Sequence, residues 1–320
     1  MIDNYGREIN YMRISVTDLC NLRCRYCMPE DGVCKRRHED MMHMDEFITA
    51  ARAAVSLGVT KIRITGGEPL VKRGIVKFCK ELGQLDGLKE LCITTNGVLL
   101  AQHAQGLKDA GVTRLNISLD TLKADKFTDI TRIGDIQTVF DGIEAAKEAG
   151  FTDIRMNVVL MKGFNDDEIS DFVALTKDQA IDVRFIELMP IGEGLDASDL
   201  GYISCSAVLD AVPELEPISG KTTYDGVAQM YKLPGSKGRV GLIRPLSCEF
   251  CGSCNKIRLT ADGMIKPCLH LEGEYPLKGL SEDEMREVLK QSIMQKPKSR
   301  DVMDETNRSK AGRNMNMIGG

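Results

Sequence analysis

The chain has 320 residues, 42% of them hydrophobic and 28% charged, with a formal net charge of −5; a chain of this length buries roughly 75% of its unfolded surface, enough for one large domain or two unequal ones. The mixed, mildly acidic charge argues against broad electrostatic binding to nucleic acid and leaves room only for a local anion site. No apolar run nears the ~20 residues that span a bilayer, and 11 cysteines without a recognisable secretory signal imply a reducing, cytoplasmic setting in which thiols ligate metal more than they form disulfides.

A short β-type run ending near Val16 leads into Cys20, Cys24 and Cys27, whose C-x3-C-x2-C spacing presents three thiols to one point on a short loop. Three ligands leave a four-iron cluster one iron short of its usual four cysteines, and the open iron can bind a reactive ligand. Disulfides suit neither the chain length nor the missing signal. Zinc wants a fourth ligand, for which Cys34 and His38 are the local candidates. Buried thiols without a metal are the remaining alternative.

From Lys61 onward, β-type runs alternate with helix-length stretches: Lys61–Thr65, Glu90–Thr94, Arg114–Ser118, Ile154–Val159 and Asp182–Ile186. Between them apolar residues recur at helical spacing, as at Phe47, Ala50, Ala51, Ala54 and Val55, and stretches stop at Gly58, Gly111 and Gly150. With the run before Cys20, the alternation predicts six parallel strands with right-handed crossovers: an α/β fold, read as a partial (β/α)6 TIM-like barrel, with a doubly wound open sheet as the alternative. Chemistry then gathers beyond the strand ends, where the cysteine loop, Gly66-Gly67-Glu68-Pro69, Thr95-Asn96-Gly97 and Asp120 all fall. Taken alone, the Gly-Gly-Glu-Pro stretch is a strand-to-helix turn whose proline starts the helix. The pattern decays after about residue 195, amid Pro213, Pro217, Pro234 and Pro245, which predicts a barrel over 1–195 and a second region over 196–320.

Arg13, Arg63, Arg155 and Arg184 come from four different strand-like runs, with Lys61 two residues before Arg63. Inside a barrel one unpaired charge costs about 3–5 kcal/mol, and four would exhaust a domain's stability of ~5–15 kcal/mol. They therefore require a polyanionic ligand, salt bridges to Glu68, Asp120 and Glu187, or an outward orientation. A second cysteine group, Cys251, Cys254 and Cys268, is spaced C-x2-C-x13-C and followed by His270. Completed by His270 or Cys248, it also suits a zinc ribbon, or a non-catalytic zinc module with nucleic-acid contacts at Lys256 and Arg258. A polar segment ending in Gly319 and Gly320 is by itself a frayed tail.

The string from Arg13 to Pro29 resembles the cluster motif of the radical S-adenosylmethionine (SAM) enzymes, with Tyr26 as the aromatic residue before the third cysteine. With the Gly-Gly-Glu-Pro stretch, the second cysteine group and the Gly-Gly tail in that order, the chain is similar to the GTP 3′,8-cyclase family of molybdenum cofactor biosynthesis. That resemblance implies a radical SAM partial barrel with a C-terminal extension carrying a second Fe-S cluster. Cys20, Cys24 and Cys27 would hold one [4Fe-4S] cluster; Cys251, Cys254 and Cys268 would hold the other, its free iron binding the guanine base. A fourth ligand from Cys248 would remove that free iron, so Cys248 is read as a nearby free thiol.

The same resemblance implies SAM against Tyr26, Gly66, Gly67, Glu68, Pro69, Ser118 and Met189. GTP-contacting positions match Arg13, Arg63, Thr94, Arg155 and Arg258, where Arg155 replaces a more usual lysine and Lys256 an arginine; Lys61, Arg184 and Ile257 complete the expected set. Gly319 and Gly320 are expected to enter the site and help catalysis. The implied reaction cleaves SAM reductively, takes the 3′ hydrogen of GTP and closes the ribose onto C8, giving (8S)-3′,8-cyclo-7,8-dihydroguanosine 5′-triphosphate. A homodimer, an external electron donor and handover of product to the next enzyme of the molybdopterin pathway are implied as well, with neither nucleic acid nor membrane as partner. Another radical SAM enzyme with an auxiliary cluster, such as a peptide-modifying oxidase, is the alternative, although it needs no pocket of arginines.

Overall fold

The computed structural model describes residues 1–195, 200–219, 226–248, 250–299 and 309–319. Strands and helices alternate as read: β1 (Tyr11–Ser15), α1 (Met44–Ser56), β2 (Lys61–Thr65), α2 (Ile75–Gly83), β3 (Glu90–Thr95), α3 (Leu100–Asp109) and β4 (Arg114–Ser118). Then follow α4 (Ala124–Thr131), α5 (Ile136–Glu148), β5 (Ile154–Leu160), α6 (Ile169–Asp178) and β6 (Ile181–Glu187). Strands β1 to β6 lie side by side in chain order, each parallel to the next. This is the α/β partial barrel expected from the alternation.

The strands' period-two pattern sorts their side chains into two layers. Met12, Ile14, Ile62, Ile64, Leu115, Ile117, Val158 and Phe185 are fully buried in the apolar layer between sheet and helices, each stabilising the fold by about 1.5–3 kcal/mol. The alternate positions carry Arg13, Arg63, Asn116, Asn157 and Arg184, which line a cavity on the other face of the sheet.

The second part of the chain adds α7 (Ala207–Ala211), β7 (Glu216–Pro217), β8 (Gln229–Lys232), β9 (Val240–Ile243), β10 (Lys256–Leu259), β11 (Met264–Lys266), β12 (Tyr275–Pro276) and α8 (Glu282–Met294). Its strands were not legible in the broken pattern after residue 195. β9 pairs parallel with β6 and β10 parallel with β1, lengthening the parallel row at both edges. Antiparallel β8 and β7 continue beyond β9, and β11 and β12 beyond β10, in one 12-stranded sheet. Helix α8 packs on α1, joined by Arg52–Glu282 at 3.0 Å and by Arg286 Nε donating to Ser56 Oγ at 3.0 Å. Among the described residues no helix is long and apolar enough to cross a membrane.

Candidate active site

The cysteine loop after β1 is held by main-chain bonds to the end of α4: Arg23 N donates to Thr131 O and Arg25 N to Ile130 O, both at 3.0 Å. Arg132, at a positive φ of 65°, donates to Arg23 O at 2.9 Å and Met28 O at 3.2 Å. Cys20, Cys24 and Cys27 all line the cavity. Burial pushes the Cys20 thiol up to about 11, Cys27 to about 12 and Cys24 well above its ordinary value, because their surroundings disfavour the bare thiolate.

Gly66 and Gly67, after β2, also line the cavity. A Cβ on Gly67 would lie 2.4 Å from Leu19 O and 2.6 Å from Asp18 O, so only glycine lets this turn close onto the cysteine loop. Sequence reading assigned the glycines to close approach of a ligand; the structure gives them this second neighbour as well. Glu68 is fully buried and accepts from Leu70 N, Thr95 Oγ1 and Asn96 N at 2.9, 2.8 and 2.7 Å. Asn96 Nδ2 in turn donates to Asn21 Oδ1 at 2.8 Å, so the β3 end is fastened to the cysteine loop. Ser118 and Met189 are on the cavity wall, whereas Pro69 is buried and not part of it.

Tyr26 donates its hydroxyl to Asp120 at 2.6 Å, and Asp120 accepts from Val159 N at 2.8 Å. Burial raises the Asp120 carboxyl to about 6, against the lowering effect of both bonds. Because this value lies above the unfolded one, the proton favours the native state at low pH, and that contribution of about 3 kcal/mol is lost as pH rises through about 6. Asp120→Asn cannot ionise, so its melting temperature should fall less than the parent's between about pH 5 and about pH 8; equal slopes would show that Asp120 stays ionised throughout.

The cavity, about 360 Å³, is walled by the inward strand positions, and register sets their neighbours. Arg13 stands beside Arg63 on one side and Arg258 on the other; Asn116 pairs with Arg155, and Asn157 with Arg184. The four arginines thus line the cavity, which removes the outward orientation from the three alternatives. Glu68, Asp120 and Glu187 are not their carboxylate partners: Glu187 is occupied by Leu246 N and Ser247 N, both at 2.9 Å. The floor of the barrel instead carries a chain of ion pairs. Lys61 meets Glu90 at 3.0 Å, Arg114 bridges Glu90 and Asp153, Arg155 meets Asp153 at 2.9 Å, and Asp182 pairs with Arg239 at 2.6 Å.

Lys61 and Arg155 are therefore compensated from below, while cations nearer the cysteines are crowded together. Arg63 and Arg184 are nearly buried, and Arg63 Nε, Arg184 Nε and Arg184 Nη2 have no hydrogen-bond partner among the described residues. Arg13 and Arg184 are brought down to about 9, first by burial and then by cationic neighbours, Arg258 and Arg63 in one case and Arg155 and Arg63 in the other. Lys256 is likewise lowered, chiefly by burial, and lies 5.9 Å from the rings of Tyr11 and Phe250. Buried donors without acceptors fit a polyanion. Thr94 Oγ1 is also buried without a partner on this wall.

Cys251, Cys254 and Cys268 line the same cavity, whereas Cys248 is exposed and off its wall. Burial alone would raise the Cys254 thiol, but Lys296, Lys256 and Arg258 outweigh it and lower it. Among the described residues no group of three or more His, Cys, Asp or Glu is placed to hold a single metal ion. The tail reaches the site: Arg258 Nη1 donates to Ile318 O at 3.1 Å and Gly319 O at 3.0 Å. A Cβ on Gly319, whose φ is +68°, would lie 2.2 Å from Thr65 Oγ1. Gly320 lies outside the described residues. Ile257 faces the apolar layer, not the cavity.

Sequence reading missed Lys296, Asn316, Asn116 and Asn157. Lys296 Nζ donates to Lys256 O at 2.9 Å and Pro267 O at 2.7 Å, tying together the two segments of the second cysteine group. Asn316 Nδ2 donates to Asp18 O at 3.0 Å, and its backbone N–H meets the Cys27 thiol. Neither residue carries a motif; the only signal is tertiary.

A family model described as the Radical SAM superfamily matches residues 14–176, and one described as Molybdenum Cofactor Synthesis C matches residues 181–302. The chain is 47% identical to the GTP 3′,8-cyclase of Alkaliphilus oremlandii (strain OhILAs) over 100% of both chains. It is 50% identical to that of Peptoclostridium acidaminophilum, over 95% of this chain and 94% of the other. Among solved structures, Streptococcus suis SuiB bound to S-adenosylmethionine has a TM-score of 0.56 and 17% identity, over 90% of this chain and 68% of that one, a likeness of fold. With the cysteine loop, the barrel, both family segments and the full-length relatives in agreement, the chain belongs to the radical SAM superfamily and, within it, to the GTP 3′,8-cyclase family.

Proposed function

We propose that the protein converts GTP to (8S)-3′,8-cyclo-7,8-dihydroguanosine 5′-triphosphate, the first step of molybdenum cofactor biosynthesis. One observation carries the reading: a single cavity has a cysteine triad at each of two places on its wall and a crowd of buried cations on the same wall. Membership of the radical SAM superfamily implies SAM and a [4Fe-4S] cluster, and the three thiols of Cys20, Cys24 and Cys27 on one cavity wall fit that cluster. When bound, these groups supply the carbon radical that abstracts hydrogen from the ribose of GTP.

The chain's own residues bind, orient and exclude water. Gly66, Gly67, Glu68, Ser118 and Met189, with the Tyr26 backbone, border SAM, and Asp120 orients Tyr26. Arg13, Arg63, Arg184 and Arg258 hold the triphosphate, with Lys61, Thr94 and Arg155 beneath and beside it. Cys251, Cys254 and Cys268 would hold a second [4Fe-4S] cluster, whose open iron would anchor the guanine, with Lys256 and Lys296 beside these cysteines on the same wall. Gly319, against Thr65, closes the site, and the Gly319-Gly320 pair helps catalysis. The barrel at 1–195 then makes the radical, while the region at 196–320 positions the base. A homodimer fed by an external electron donor, passing its product to the next enzyme of the molybdopterin pathway, completes the reading.

Anaerobically reconstituted protein given SAM and dithionite should release 5′-deoxyadenosine with GTP, together with a cyclised product seen by mass spectrometry. ATP in place of GTP should yield no cyclised product. Release that ignores the nucleotide would retain the radical chemistry and overturn the substrate.

A further inference from the structure

One cluster of charges lies outside the chemistry described so far. Arg313, on the segment leading to Gly319, is nearly buried, its side chain 13% exposed. Nη1 and Nη2 donate to Asp262 Oδ1 and Oδ2 at 3.1 and 2.9 Å, and Nε donates to Glu274 Oε1 at 2.7 Å. Asp262 sits in the turn between β10 and β11, and Glu274 just before β12. Asp262 also accepts from Arg36 Nη1 at 2.8 Å; Arg36 Nε lies 3.4 Å from Asp18, whose carbonyl accepts from Asn316. Glu274 separately meets Lys266 Nζ at 2.8 Å.

We propose that Arg313 is a positioning residue that latches the tail in register: its fork spans Asp262 and Glu274, so that Gly319 reaches Thr65 and the Ile318 and Gly319 carbonyls meet Arg258. The inference rests on the cyclase reading above for its consequence, but the docking itself does not depend on it. Two features make Arg313 specific to the tail. Each carboxylate keeps a second cation, Arg36 or Lys266, so removing Arg313 leaves neither carboxylate without a partner. And one planar guanidinium grips Asp262 with two nitrogens while a third meets Glu274, a fork geometry that a lysine's single ammonium cannot copy. Ile318 and Ala311 packed on Ile191 are non-directional; the directional contacts of Asn316 with Asp18 O and of Arg258 with the Ile318 and Gly319 carbonyls hold the last residues of the tail, and Arg313 sets where that stretch starts.

The test compares reconstituted parent, Arg313→Ala and Arg313→Lys by hydrogen exchange over 314–319 and by the ratio of cyclised product to 5′-deoxyadenosine. For Arg313→Ala, tail exchange should quicken and the ratio should fall, each by roughly tenfold or more, with barrel-strand exchange unchanged; Arg313→Lys should lie between. Unchanged tail exchange overturns the latch, and quickened exchange with an unchanged ratio overturns its role in positioning. Should Arg313→Ala fail to fold, the pair Asp262→Asn and Glu274→Gln removes the same contacts from the other side. If the parent itself makes no cyclised product from GTP, the cyclase reading fails while tail exchange still judges the latch.

Discussion

A protein carrying Arg184→Met is expected to melt about 2–6 °C above its parent in the absence of nucleotide, yet to bind GTP at least ~100-fold more weakly. Arg184 is 6% exposed, and two of its nitrogens have no hydrogen-bond partner among the described residues. Its neighbours along the wall, Arg155 and Arg63, add repulsion to the effect of burial. Replacing such a charge by an apolar side chain of similar length removes a desolvation penalty, and comparable replacements stabilise proteins by about 1–4 kcal/mol. Methionine keeps the stem that packs against Gly241, where Arg184 Cγ leaves only 3.2 Å to an added Cβ. A phosphate contact made by Arg184 would be charge-assisted, so losing two bonds of about 1.5–3 kcal/mol each would account for the weakened binding. Thermal unfolding without nucleotide and calorimetric titration with GTP check both halves. A lower melting temperature would mean that the fold itself satisfies Arg184, and the polyanion reading of the wall would then lose its main support.

Cys254→Ala should cut the iron content of reconstituted protein from about eight to about four atoms per chain and reduce cyclisation more than ~1000-fold, because the base would lose its anchor. Cys248→Ala should retain about eight iron atoms and near-parental turnover. The contrast follows from geometry: Cys254 faces the cavity among Lys256, Lys296 and Arg258, while Cys248 is exposed and off the wall. Iron analysis with electron paramagnetic resonance of the reduced proteins reads the difference. Equal iron loss in the two variants would establish a four-cysteine site with no iron left open for the base.

The amino-acid sequence by itself determined the barrel and the positions of its reactive loops. Both signals are local: period-two strands such as Lys61–Thr65, helical spacing between them, and cysteines close enough along the chain to define a site. Four arginines on separate strands left an anion, salt bridges and an outward orientation open, and only the family resemblance favoured the anion. Only the tertiary structure decided how those charges are balanced. Glu68, Asp120 and Glu187 lie at strand ends, where backbone N–H groups claim them, so the counter-charges come from Glu90, Asp153 and Asp182 on the floor. Strands β9 and β10 were hidden because each is four residues long and gains its partners, β6 and β1, only through pairing across most of the chain. The docking of the tail through Arg313 and Asn316 was hidden for the same reason: a buried ion pair or hydrogen bond is specified by which surfaces meet, and no spacing along the chain records that.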